Sequence, residues 1–323
     1  MNSSSLRIAR TPEVTQALQR GLPVVALESA VITHGLPRPS NHALARGMEQ
    51  AIRDEGATPA TIAVLHGQIH VGLTAEQLQQ LAQQSDAQKI SPRNLAAVLL
   101  QKGSGGTTVA GALWIARRAG LKVFATGGIG GVYSPLTLDI SADLPLLAES
   151  PLIVVCAGAK AIHDLPATLE YLETVGVPVI GYQTNEFPAF YWRESGLPVT
   201  IRLDTPKEVA DFARLHWGLG MHSAVLVCQP PPREQALPRA GLESLIHRVR
   251  AEAEKQNIRR QALTPFLLQR LNDLTHDETL RTNLALLLHN ASLAAPSPAP
   301  CLWKKLPRPF EGCHKPFRET PCP

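Results

Sequence analysis

The feature that most restricts the fold of this chain is an alternation. Short, β-rich apolar runs recur at 23–28, 61–66, 122–125, 152–156, 177–182 and 224–228. Between them lie segments whose apolar residues return every three or four positions, at 41–55, 75–84, 107–119, 163–175 and 206–216. An unbroken apolar run suits a strand covered on both faces, and a three-to-four spacing suits a helix with one buried stripe. The alternation therefore predicts βα units and an α/β/α sandwich around a largely parallel central sheet. From residue 239 the strand signals stop. Three helical patterns follow, at 240–256, 264–274 and 278–293, and predict a C-terminal helical segment. Residues 1–295 read as one domain. The last 28 residues hold eight prolines and no sustained periodicity, so 296–323 is expected to be a disordered tail.

Composition narrows the function. The formal net charge is +4, but the tail alone sets Lys304, Lys305, Arg308, Lys315 and Arg318 against Glu311 and Glu319. A near-neutral body lacks the basic footprint of a nucleic-acid binder. No apolar run approaches the ~18–20 residues of a membrane span. The five cysteines form no CxxC pair, which suits a reducing, cytoplasmic setting. Cys301, Cys313, His314 and Cys322 match no structural-zinc spacing, and Cys156 and Cys228 sit on apolar strands as core residues. Ser3, Ser4, Ser5, Arg7 and Arg10, with no acid before Glu13, faintly resemble an organelle transit segment, although an amphipathic pattern already starts at Thr11.

Five segments can carry chemistry. Gly127-Gly128-Ile129-Gly130-Gly131 follows a strand and would let backbone amides approach an anion; Tyr133 at the third position breaks a dinucleotide fingerprint, and a plain tight turn is the alternative. Lys102-Gly103-Ser104-Gly105-Gly106-Thr107-Thr108 leads towards a helix and suits an oxyanion, or else uses Thr107 as an N-cap. Lys160 follows a buried-looking strand through Cys156-Ala157-Gly158-Ala159, where a partly desolvated amine can become a nucleophile; a solvated surface lysine is the competing reading. Glu28 closes an apolar strand, as a general acid or as an ion-paired strand end. Asp139-Ile140-Ser141-Ala142-Asp143 offers oxygen ligands for a hard cation, or a helix start capped by Ser141 or Asp143.

Together and in this order these segments resemble the pseudouridine-5′-phosphate glycosidase family. The resemblance spans about residues 6 to 295, through PVVALESAVITHGLP from Pro23, ATPATIAVLHGQIHVGL from Ala57, KVFATGGIGGV from Lys122, LDISADL from Leu138, VVCAGAKAIHDLPATLEYLETVGVPVIGYQT from Val154 and TPFLL from Thr264. It implies a reversible cleavage of the C–C glycosidic bond of pseudouridine 5′-phosphate to uracil and ribose 5-phosphate, with a divalent metal, typically Mn2+, in a homotrimer. By resemblance, Lys160 forms an imine with the sugar, Glu28 donates a proton and Asp139 is the metal-associated carboxylate. Lys89, Val109, Ser141, Ala142, Asp143 and Asn283 would line the substrate. The chain departs from the family at Tyr133-Ser134-Pro135-Leu136-Thr137-Leu138, where a basic His-Arg-Gly loop is usual, and at Gln229-Pro230 and Ala30. The altered loop supports an alternative: a catalytically impaired homologue acting as a sugar-phosphate-binding or oligomeric interaction protein.

Overall fold

A computed structural model describes residues 7–134, 139–258 and 262–295. Its strands are β1 (Ile8–Arg10), β2 (Val24–Leu27), β3 (Thr58–Leu65), β4 (Gln68–Val71), β5 (Gln88–Ile90), β6 (Gly105–Thr107), β7 (Val123–Ala125), β8 (Val132–Ser134), β9 (Asp139–Ile140), β10 (Ile153–Cys156), β11 (Val179–Tyr182), β12 (Ile201–Leu203) and β13 (Val225–Cys228). The helices are α1 (Pro12–Gln19), α2 (Ser40–Asp54), α3 (Ala75–Gln83), α4 (Pro92–Leu100), α5 (Val109–Ala119), α6 (Asp143–Ala148), α7 (Leu165–Thr174), α8 (Pro206–Gly218), α9 (Arg239–Lys255), α10 (Leu263–Leu274) and α11 (Glu278–Ala294). The proline-rich tail, with Cys301, Cys313, His314 and Cys322, lies outside the described residues, as do Pro135 to Leu138 of the altered loop.

The main sheet runs β1-β4-β3-β2-β7-β10-β13-β11-β12. From β3 through β2 to β12 every pairing along this path is parallel, and β2, β7, β10 and β13 are buried along their whole length. All six apolar runs are strands of this sheet. The fold is thus the expected α/β architecture with one qualification: β3 pairs antiparallel with β4 and with β6, so the sheet is mixed on that side. The cause is local. His66 and Gly67 turn the chain with positive φ directly after β3, and the chain returns beside itself as a hairpin.

Helix ends follow from their sequences. Thr74 with Gln77 and Thr205 with Glu208 form capping boxes at the starts of α3 and α8, and Pro206 occupies the first turn of α8. At the end of α5, Gly120 takes the left-handed conformation. The expected helix at 107–119 starts later, because residues 105–107 pair as β6 and the cap is Thr108, whose Oγ1 accepts from the Gly111 amide at 3.2 Å. All three C-terminal helical patterns are helices; α11 packs on α2 and across β7 and β10, while α9 packs on α10.

Candidate active site

The position of the site follows from strand order. The chain leaves β2 for β3 on one side, whereas β7, the other neighbour of β2, continues to β10 away from it. At such a switch point the connections diverge and open a crevice beyond the carboxyl ends of the strands. Glu28 directly follows β2, Thr126 directly follows β7, and Lys160 follows β10 by four residues. Glu28, Lys89, Val109, Asp139, Ser141, Ala142, Asp143, Lys160 and Asn283 all line one cavity of ≈ 490 Å³. Every site residue expected from the sequence therefore meets there.

Their surroundings give them different capacities. Glu28 is buried, and Thr126 Oγ1 donates to its Oε1 at 3.0 Å across the β2–β7 junction. Burial pushes its carboxyl above the usual range, although the Lys160 ammonium and the Thr126 bond pull the other way. Burial thus favours the protonated form, from which a carboxyl can donate. Lys89 lies on β5; burial lowers its ammonium below the ordinary value, and repulsion from Lys160 adds to the effect. Lys160 Nζ donates to the main-chain oxygen of Gly128, so its amine is held over the glycine turn after β7.

The glycine segments prove to be close-approach positions. Gly158 has φ +79°, and a Cβ there would stand 2.0 Å from the Pro188 carbonyl oxygen. At Gly130 a Cβ would meet Ser141 Oγ at 2.2 Å. That contact matters because Asp143, first residue of α6, ties the site together: its Oδ1 accepts from the Ala110 amide at 2.8 Å and its Oδ2 from the Gly130 amide at 2.7 Å. One carboxylate thus satisfies the open N-terminus of α5 and the glycine turn at once. Ser141 Oγ accepts from the Asp143 amide at 3.2 Å just ahead of α6, but the N-cap residue of that helix is Ala142, so neither Ser141 nor Asp143 is the cap expected from the sequence. Thr107 is committed elsewhere, donating to the Ile62 carbonyl at 2.7 Å within the core, and is not an open oxyanion ligand.

Several lining residues were not singled out beforehand. His163 is buried, and burial together with the nearby Lys160 charge pushes its imidazole down to about 3, so it is neutral. Its Nδ1 lies 2.9 Å from the Lys160 carbonyl, which fixes the proton on Nδ1; Nε2 is buried with no hydrogen-bond partner among the described residues. Tyr133, noted only as a departure, packs edge-on against His163 with ring centroids 4.3 Å apart. His34, Arg93, Phe190 and Thr264 complete the surroundings. Their only signal in the sequence was proximity to quoted segments; Thr264 opens TPFLL, and His163 stands three residues after Lys160.

Among the described residues no three His, Cys, Asp or Glu side chains assemble into a metal cage. A half-buried Asp139 carboxylate on the cavity wall is nevertheless a donor of the right hardness for a divalent cation that keeps most of its water. Also among the described residues, no helix is long and apolar enough to cross a membrane.

With that geometry in place, comparison with known proteins is informative. A family model described as indigoidine synthase A like protein matches residues 13–297. Two proteins named pseudouridine-5′-phosphate glycosidase, from Geobacillus kaustophilus and Paracoccus denitrificans, are 50% and 51% identical over 285 and 292 residues, covering 88% and 89% of this chain and 95% and 96% of theirs. Among solved structures, the prealnumycin C-glycosynthase in complex with ribulose 5-phosphate superposes with a TM-score of 0.85 at 36% identity, over 93% of this chain and 98% of that one. An indigoidine synthase A-like protein from Thermotoga maritima gives 0.82 at 34% identity, over 90% and 94%.

Proposed function

The chain belongs to the indigoidine synthase A-like family, among relatives named pseudouridine-5′-phosphate glycosidase, and from that premise we propose that it cleaves the C–C glycosidic bond of pseudouridine 5′-phosphate reversibly to uracil and ribose 5-phosphate. The observation that carries the reading is the meeting of Glu28 and Lys160 in one cavity, at the ends of the two strands that flank β7, with Lys89 beside them.

A carbon leaving group has no lone pair to protonate, so the electrons of the breaking bond need a sink or a proton at carbon. In our reading the Lys160 amine attacks C1′ after giving up its proton to solvent, the C1′–O4′ bond breaks, and Glu28 gives its proton to O4′. The new secondary ammonium returns a proton to Glu28. Glu28 then protonates the uracil carbon, the C1′–C5 bond breaks, and the nitrogen lone pair closes the C1′=N imine. Water hydrolyses the imine to ribose 5-phosphate and frees Lys160. Lys89 supplies positive charge for the 5′-phosphate, Asn283 faces the base, and Val109, Ser141 and Ala142 shape the sugar site. Asp139 would hold a hydrated divalent cation, Mn2+ by family resemblance, which when bound supplies positive charge to oxygen atoms of the substrate.

The free thiols of Cys156 and Cys228 suit a reducing, cytoplasmic setting. Exposed Leu215, Leu219 and Met221 around the end of α8 suit self-association, and a homotrimer is the assembly we propose. The test uses purified protein, pseudouridine 5′-phosphate and Mn2+, following uracil, with Lys160→Ala as the blank. Borohydride with ribose 5-phosphate should add mass at Lys160 and at no site in the variant. An adduct on Lys89 would overturn the assignment. No turnover together with ribose 5-phosphate binding would leave a sugar-phosphate-binding homologue.

A further inference from the structure

We propose that Tyr133 is a positioning residue for this reaction, fastening the helical wall of the cavity against the end that receives the nucleobase. The inference rests on the glycosidase reading and assigns a role to Tyr133 alone, the first residue of the stretch that departs from the family. Three elements meet at this one residue. The Tyr133 hydroxyl hydrogen-bonds Thr264 Oγ1 on α10, its main-chain oxygen accepts from Arg250 Nη2 on α9 at 2.7 Å, and its ring rests edge-on against His163. His163 in turn donates from Nδ1 to the main-chain oxygen of Lys160. The two helices that pack on each other, and the segment that carries the nucleophile, are therefore joined through a single residue, α10 and His163 by its side chain and α9 by its main-chain oxygen.

The chemistry of the walls indicates which part of the substrate feels this. Thr264, Pro265 and Leu268 give α10 an uncharged wall, whereas Glu28, Lys89, Asp143 and Lys160 come from the sheet side. A phosphate belongs with the charged side and a flat, neutral pyrimidine with the uncharged one. Burial keeps the phenol protonated, at about 12, so the bond to Thr264 persists throughout the working pH range.

Removing the hydroxyl while keeping the ring isolates the effect. Tyr133→Phe should raise KM for pseudouridine 5′-phosphate about three- to tenfold, with kcat within about twofold and ribose 5-phosphate affinity unchanged. Thr264→Val should do the same, and the double variant should be no worse than either single one, because both remove one bond. Hydrogen exchange at the amides of α10 should quicken in both. An unmoved KM, an equal loss of ribose 5-phosphate affinity, or additive effects in the double variant would each overturn the proposal. If the wild-type protein releases no uracil, the glycosidase reading fails by itself. The fastening is then decided by exchange at α10: faster exchange in Tyr133→Phe supports it, and equal exchange overturns it.

Discussion

His163 offers a stability measurement whose size follows directly from burial. In the unfolded chain its imidazole takes up a proton near pH 6.5, whereas in the folded protein it does so only at about 3. Between those values the unfolded state binds more protons, so stability falls as the pH falls. At about pH 5 the gap from the unfolded value is about 1.5 units, which at 1.36 kcal/mol per unit costs about 2 kcal/mol relative to about pH 7.5. The result hardly changes while the folded value lies anywhere below 4, since the folded imidazole is then neutral at both conditions. Replacement by leucine removes the titration and also the Nδ1 bond to Lys160, but loss of a neutral bond lowers stability equally at both pH values. His34 and His289, whose imidazoles burial also depresses, titrate identically in both proteins and cancel in the comparison. Urea unfolding of wild type and His163→Leu at the two pH values should therefore show a wild-type loss that exceeds the variant's by about 2 kcal/mol. Parallel losses would mean that the folded imidazole reaches water or a carboxylate, and would refute its assignment as a buried neutral group.

Two further outcomes follow from the same geometry. Glu28→Gln keeps an oxygen for the Thr126 hydroxyl but has no proton to give, so uracil release should fall at least about a hundredfold while the urea midpoint holds or rises; normal turnover would remove Glu28 as the proton donor. In Asp143→Asn an amide NH₂ must face either the Ala110 or the Gly130 N–H, leaving a buried donor unpaired and losing a charge-assisted bond, for about 3 kcal/mol by denaturant unfolding; a change below about 1 kcal/mol would show that the carboxylate does not tie α5 to the glycine turn.

The legible part of the fold was the part built from long, one-sided patterns. Four-residue runs such as Val24–Leu27 and Val225–Cys228 have no polar face to obscure them, and α2, α8 and α11 repeat their apolar spacing over three or more turns. The strands that escaped are short and take their definition from partners distant in sequence; the helix α4 (Pro92–Leu100) was missed as well. Thus β6 is two glycines and a threonine that become a strand because β3 and β5 flank them, and β5 is Gln-Lys-Ile. The site shows the same division. Glu28 and Lys160 were visible because each interrupts an apolar or small-residue context with a charge. Nothing local marks Tyr133 or Thr126: one gains its role from a hydroxyl on α10, the other from a carboxyl on the neighbouring strand.

Why the site holds two lysines as well as two buried carboxyl groups can be argued from charge alone. Burial penalises whichever form is charged, so it drives Glu28 towards the acid and Lys89 towards the free amine. In water the same groups would settle as carboxylate and ammonium, with no acidic proton on the carboxyl and no lone pair on the amine nitrogen. Asp143 is occupied as scaffold, both of its oxygens accepting from backbone amides, one on α5 and one in the glycine turn. A phosphate dianion entering beside Lys89 reverses the penalty on that ammonium, since an opposite charge at contact favours the charged form. With Lys89 engaged as a cation by the phosphate, the borohydride adduct is expected, on the proposed reading, on Lys160 and not on Lys89.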